Sequence, residues 1–434
     1  MLYDSQGLAV TTDSPAAIAQ INRFIDQALS YGKEAEDAIL KAVVADRTCA
    51  IAHAYAATYF LCQENADDRQ QATPHLKAAQ RHRPETRRER WYIQAIVAWA
   101  AGEIDEALRL HWAIAQNYPQ DLLSVQQGQY HYFYRGDAAN LLRLAETVLP
   151  ANQAKPYLYG MIAFGLEQCG DLSQAEAIGR QAVALNRYDP WAQHAVAHVL
   201  ETQNRAADGI AWMESHADTW ERCNSMLYTH NWWHIALYYL TLGDLQTVLR
   251  LYDTHIWGKA NKTSPKDQVG AIATLLRLEL QGVDVRTHWQ ELAPYLYQRL
   301  HEHTLPFQDL HYICALSRAG YSDWVTEMLD SLNHVATVKA SRQKTWSDIV
   351  LPAAKGMVAY ANGDWTAAVT QLKPVLPQIP YVGGSRTQQA LFQQLYQKAL
   401  WHCEQGDRVP PSLDRTPLRK QPSNYNYKTP ALLA

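Results

Sequence analysis

AGEIDEALRLHWAIAQNYP (101–119), RGDAANLLRLAETVLP (135–150) and CGDLSQAEAIGRQAVALNRYDP (169–190) follow one plan. A glycine and an acidic residue precede an Ala- and Leu-rich amphipathic run that stops near proline. Gly102, Gly136, Gly170 and Asn204 mark this plan at equal steps, since 136 − 102, 170 − 136 and 204 − 170 are each 34. The marks continue at Gly243, Gly282, Gly320 and Gly363, with steps of 39, 39, 38 and 43. Upstream, Gly32 lies 70 residues before Gly102, about two periods, with a polar turn near Ala66–Asp68 between them. A step of 34 is the length of two antiparallel helices and their turns, the tetratricopeptide repeat.

Other marks agree. Trp91, Ala107 and Pro119 stand around Gly102 as that repeat requires, and Ala175 and Ala182 supply small residues where helices cross. Pro119, Pro150, Pro190 and Pro377 fall near unit ends, where a helix must stop. No alternating run competes with the helical period. The expected fold is all-α: a tetratricopeptide-repeat-like α-solenoid, a superhelix of roughly ten antiparallel helix pairs over 15–404. Residues 1–14 read as an irregular lead-in. Residues 405–434 read as a Pro-rich tail, disordered or wrapped on the surface. The longer C-terminal steps predict an irregular superhelix there.

Composition bounds the function. The 434 residues are 47% hydrophobic and 19% charged, enough to bury a core. A net charge of −4 gives no nucleic-acid footprint, and the basic segment Arg81–Arg90 reads as a solvated helix start. The longest apolar stretch, Trp232–Leu242, contains His234 and is too short for a membrane span. The N-terminus has no basic and apolar leader, and the six cysteines form no CxxC pair. A cytoplasmic protein with no membrane and no nucleic-acid partner is expected.

Histidines concentrate in two adjacent units. On a helix over Trp191–Thr202, His194, His198 and Glu201 stand at i, i+4 and i+7 and share one face. On the next first helix, about Tyr228–Leu240, His230 and His234 repeat the spacing, with Asn231 beside them. Neighbouring helices lie about 8–10 Å apart, so four imidazoles and a carboxylate converge on the concave wall. Such a set suits zinc, iron or manganese. The pattern HxxxHxxE followed by HNWWH is not HExxH, and no glutamate follows the first histidine as a ready base. His194, His198, Glu201, His230 and His234 are the candidate metal ligands. His198, Glu201 and Asp309 are the candidate catalytic groups, Asp309 as an orienting partner.

Tyr130, Tyr134, His311 and Arg386 join the ligand-binding candidates, and Gln126, Tyr157 and Glu167 fall at comparable groove-facing places. Histidine pairs at i, i+4 also arise by chance in a chain with 17 histidines. Trp232 reads as core. GGS at 383–385 reads as a helix start with Ser385 near the N-cap, not a phosphate cradle. No GxSxG, no Cys–His context and no dinucleotide fingerprint occurs, so no nucleotide cofactor is expected.

The stretches GLAVTTDS (7–14), TRRER (86–90), YHYFYRGD (130–137), DPWAQHAVAHVLE (189–201), THNWWHIALYYLTLGD (229–244), LYDTHI (251–256), FQDLHY (307–312) and GGSRTQQALFQQL (383–395) carry a family resemblance. Across nearly its whole length the chain resembles the tetratricopeptide repeat protein 38 family. The resemblance implies an α-solenoid and leaves the chemistry open. Two functions follow from the residues. One is a solenoid binding a peptide, a protein or a small polar ligand at the His/Glu site of its concave groove. The other is a metal-dependent hydrolase using the same cluster. On either reading His198→Ala is expected to remove the site's function at little cost in stability.

Overall fold

Glycine and aspartate divide the labour at each turn between paired helices. Gly102, Gly170 and Gly243 end their helices with left-handed φ of 83°, 88° and 77°, and Asn204 takes φ 57° at the equivalent place. The aspartate that follows caps the next helix. Asp137, Asp171, Asp244 and Asp364 accept from the backbone N–H three residues on, at 3.0–3.3 Å. A left-handed residue reverses the chain and an N-cap starts it again, so the GD dipeptide is a complete connection.

The computed structural model describes residues 1–153, 155–338 and 343–405. Among them, ten helix pairs follow one another, from Pro15–Leu29 with Ala35–Ala45 to Leu351–Ala361 with Trp365–Leu372, and a last helix spans Arg386–Gln405. The fold is an all-α tetratricopeptide-like solenoid. The one sheet among the described residues pairs Leu2–Tyr3 with Ala9–Val10 in the lead-in. Ala107, Ala175 and Ala182 are fully buried. The later units are irregular, with π-helical turns at Tyr252–Ile256 and Trp346–Val350 and a 3-10 stretch at Ala293–Arg299. No described helix is long and apolar enough to cross a membrane. The tail assigned to 405–434 lies outside the described residues, apart from Gln405, which ends the last helix.

Two apolar cores meet on one helix. Pro190–Thr202 gives Ala195 and Val199 to the core of the first half and Val196, Ala197 and Leu200 to that of the second. The superhelix also closes on itself. Asn224 N–H donates to the Tyr31 carbonyl at 2.7 Å and Lys33 N–H to the Arg222 carbonyl at 3.0 Å. Lys266 Nζ donates to the Cys62 carbonyl at 2.7 Å.

The last turn crosses the concave side. A Cβ on Gly383 would lie 3.0 Å from Tyr134 and one on Gly384 would lie 2.6 Å from Phe307, so bare backbone is needed at both. Arg386 donates to the Gln168 carbonyl at 2.8 Å, and Arg277 to the Thr387 carbonyl at 2.8 Å. Ser385 and Gln388 form a reciprocal capping box at 3.3 and 2.9 Å. The segment is a helix start, as its sequence suggests.

Two expectations are corrected. Arg88, in the segment read as solvated, is buried. It donates to the Tyr55 hydroxyl at 3.0 Å, to Asp121 at 3.2 Å and to the Ala9 carbonyl at 3.2 Å. Helical period, not charge density, decides direction here: Arg88 shares a face with Tyr92 and Ala95. Trp233, not Trp232, is the buried indole, while Trp232 is half-buried and stacks on His255 at 3.7 Å.

Candidate metal centre

His194 and His198 lie on Pro190–Thr202, and His230 and His234 on Ser225–Leu242. The i, i+4 spacing turns both pairs to the seam between the two helices. One ring nitrogen or other ligand atom from each of the four lies within 4.8 Å of those of the others. His194 Nε2 is 3.1 Å from His198 Nε2 and 3.0 Å from His230 Nε2. The rings of His198 and His234 are 4.6 Å apart.

This seam is dry. His194, His198 and His234 are buried, His198 at 1% exposure, and His230 is half-buried. Trp191 stacks on His194 at 4.6 Å and Trp233 on His230 at 5.2 Å. Phe164 packs against His194 and His198. Burial holds His194, His198 and His230 well below the usual imidazole range. It brings His234 to about 3, helped by the nearby Arg277 guanidinium. All four rings are neutral at pH 7, the form that binds metal.

Neutral rings leave the shared nitrogen with more neighbours than it can bond. The Nε2 of His194 has one lone pair or one proton, yet faces two other Nε2 atoms at hydrogen-bond distance. Two-centre hydrogen bonds cannot satisfy all three. A tetrahedral ion with bonds of about 2.05 Å separates its ligands by about 3.3 Å, close to the two spacings around His194 Nε2. Carboxylates stand behind the rings: Glu201 Oε2 is 3.4 Å from His234 Nδ1, and Glu167 Oε2 is 3.9 Å from His198 Nδ1. Neither contact is a hydrogen bond, so the carboxyl groups lie beside the rings without fixing their orientation. Burial pushes the Glu167 carboxyl up to about 7, while Arg386 and Gln168 act in the opposite direction.

The remaining candidates lie elsewhere. Glu201 is placed behind His234 and outside the four-histidine group. Asn231 is fully buried, and neither of its side-chain polar atoms has a hydrogen-bond partner among the described residues. Asp309 does not orient this cluster. It pairs with His303 Nδ1 at 3.0 Å, because its helix, Pro306–Arg318, turns it toward the preceding loop. His311 bonds the Phe307 carbonyl at 2.8 Å and packs on Phe307 and Phe392. Tyr130 and Tyr134 donate to Glu64 at 2.9 and 2.8 Å. Arg386 is the candidate that approaches the centre, through Glu167. Burial also corrects the expected tolerance of His198→Ala: removing a ring packed on Phe164, His194 and His234 leaves a cavity.

Glu64 escaped the sequence reading. It stands where other units carry glycine, with φ 64°. Its carboxylate collects Tyr130, Tyr134, Gln308 at 2.7 Å and Lys266 at 3.2 Å. The available signal was a glutamate at a turn position that the period reserves for glycine or asparagine.

Fold and site together define a tetratricopeptide-like helical repeat protein with a buried four-histidine cluster. No family model matches the chain. Among solved structures it is similar to the human IFIT1 dimer with m7Gppp-AAAA, at 14% identity and a TM-score of 0.40, over 91% of this chain and 90% of that one. It is also similar to Naa15/Naa10 bound to HypK-THB, at 13% identity and a TM-score of 0.26, over 89% of this chain and 67% of that one.

Proposed function

We propose that this chain holds one divalent ion of the zinc class through His194, His198, His230 and His234, and that a small polar ligand reaches it from the half-buried His230 side as a fifth donor. The observation that carries this is the convergence of three Nε2 atoms at 3.0 and 3.1 Å, where the single lone pair or proton of His194 Nε2 cannot serve both neighbours. The glutamates behind His198 and His234 support it. An all-imidazole set favours zinc or iron over manganese, which prefers oxygen donors. An extended peptide in the groove is the weaker form of this reading, because the chain's own residues 383–387 cross the concave side. Membership of the tetratricopeptide repeat protein 38 family is part of the proposal, carried by the stretches 189–201 and 229–244 that hold all four histidines. So is residence in the cytoplasm, which the free cysteines support.

A metal-dependent hydrolase is the second reading. Glu167 favours it: a carboxyl near neutral pKa beside His198 can take or give a proton at pH 7. The test is metal content by mass spectrometry on untagged protein purified without chelator, beside His194→Ala/His230→Ala. Stoichiometric metal in the wild type, lost in the variant, is expected. Cobalt exchanged into the site should give the intense visible bands of a tetrahedral ion. Metal-free wild type that also takes up no cobalt would sink the proposal.

A further inference from the structure

The segment LHEHTLPFQD (300–309), a loop running into the helix Pro306–Arg318, and the helix Ser322–Val338 build a second constellation, with no part in the histidine cluster. Asp309 Oδ2 lies 3.0 Å from His303 Nδ1, and His303 Nε2 lies 2.7 Å from Ser331 Oγ. Asp309 and His303 are buried, while Ser331 is half-buried on the helix surface. A carboxylate on Nδ1 fixes that nitrogen as the donor, which leaves Nε2 to accept the Ser331 hydroxyl proton. Carboxylate, imidazole and hydroxyl therefore stand in the order and at the distances of a nucleophile, its base and the group that orients the base.

Two features go beyond a chance hydrogen-bond chain. His303 has φ 45°, a left-handed backbone that costs a non-glycine residue energy and recurs where a side chain must be aimed. The hydroxyl is also approached by a second histidine–carboxylate pair. His301 Nδ1 is 3.0 Å from Ser331 Oγ, and His301 Nε2 is 2.8 Å from Glu327. By the same rule Glu327 fixes the His301 proton on Nε2, so His301 Nδ1 is a second acceptor facing the one Ser331 proton. His301 is exposed, at 62% of its side chain, so the hydroxyl lies at the mouth of the constellation. Trp324 stands seven residues before Ser331 on the same helix face, with Tyr297 against it at 4.9 Å. That pair offers an apolar platform for an acyl group.

We propose that Ser331 is an activated nucleophile for carboxylic esters, with His303 as its base and Asp309 as the residue that positions His303. In the first step the Ser331 proton passes to His303 Nε2 and Oγ bonds the ester carbonyl carbon. The carbon–alkoxy bond then breaks, and His303 returns the proton to the departing alcohol. Water next gives a proton to His303 and attacks the acyl-serine. The serine–acyl bond breaks, the carboxylic acid leaves, and His303 restores the Ser331 hydroxyl. Ester and water are the only reactants.

The test is labelling of the full chain with an alkyl fluorophosphonate in the presence of a metal chelator, with the modified residue mapped by peptide mass spectrometry. The chelator separates this site from the histidine cluster. Labelling of Ser331 in native protein is expected, with none in urea-unfolded protein or in Ser331→Ala. Asp309→Asn should slow labelling by about 100-fold or more while thermal unfolding stays cooperative. If Asp309→Asn does not fold, His303→Gln replaces it in the same comparison. Absence of label on Ser331 in folded wild type, or a rate unchanged by the Asp309 variant or by the His303 variant that replaces it, would overturn the proposal.

Discussion

Two buried charges show how much one residue can hold. Arg88 is the cation facing Asp121, and the Asp4 carboxyl, raised by its own burial, is drawn back down by the same guanidinium. Replacing Arg88 with methionine keeps the volume and strands Asp121. The expected cost is about 3–5 kcal/mol in urea unfolding; a loss below about 1 kcal/mol would mean that water reaches the pair. Glu64 poses a different question, because its backbone is strained while its carboxylate gathers four partners. Glu64→Ala loses the partners and keeps the strain. Glu64→Gly loses the partners and relieves it. Glycine should therefore be more stable than alanine here by about 1 kcal/mol, with both below wild type. Equal stabilities would show that the left-handed turn is not costly. Neither residue was legible from composition. Arg88 sits among five other basic residues in 81–90, and only its phase on the helix selects it for the core.

At the scale of the element, the GD dipeptides made the fold readable, because one local event (a left-handed cap and an N-cap) recurs at a fixed period. Asp244→Ala removes the bond to Thr247 N–H and should cost about 1 kcal/mol, read as a shift in the unfolding midpoint. No shift would mean that water replaces the cap. The histidine pairs were readable for the same reason: i, i+4 spacing fixes direction on a helix, and adjacency fixes the distance between helices. Loops carry no such rule. His303 and Asp309 meet across a turn that no period describes, and Ser331 joins them from the next helix. Asp309 therefore looked like a partner of the histidine cluster, since helical phase alone does not say which neighbour it meets. The closure of the superhelix was equally hidden. Contacts such as Asn224 with Tyr31 join units nearly 200 positions apart and depend on the summed rotation of every pair between them.

Over the whole molecule, burial of neutral histidines sets the response to acid. His111 and His234 are brought to about 3 and His311 to about 4, chiefly by burial, and His194, His198 and His230 also lie well below the usual imidazole range. An unfolded histidine takes a proton near pH 6.5, while these six stay neutral in the fold. The unfolded state then binds more protons, so each of the six removes up to about 1.4 kcal/mol of stability per pH unit below about 6.5. Glu167 and Asp189 oppose this. Burial pushes both up to about 7, so the folded state takes up their protons first and gains stability as pH falls from 7 toward 4.5. Six groups outweigh two, and the melting temperature of chelator-treated protein should fall steadily between pH 7 and pH 5. His194→Ala/His230→Ala removes two of the six, so its melting temperature should fall less steeply over the same range. Bound metal should raise the wild-type melting temperature and leave this slope unchanged, because the four rings carry no proton in the folded chain with or without the ion. Melting curves recorded across that range, with chelator and with zinc, decide the matter. A wild-type melting temperature that rises toward pH 5 in chelator would mean that these imidazoles are protonated in the folded chain, and four cations could not then share one dry seam around a metal.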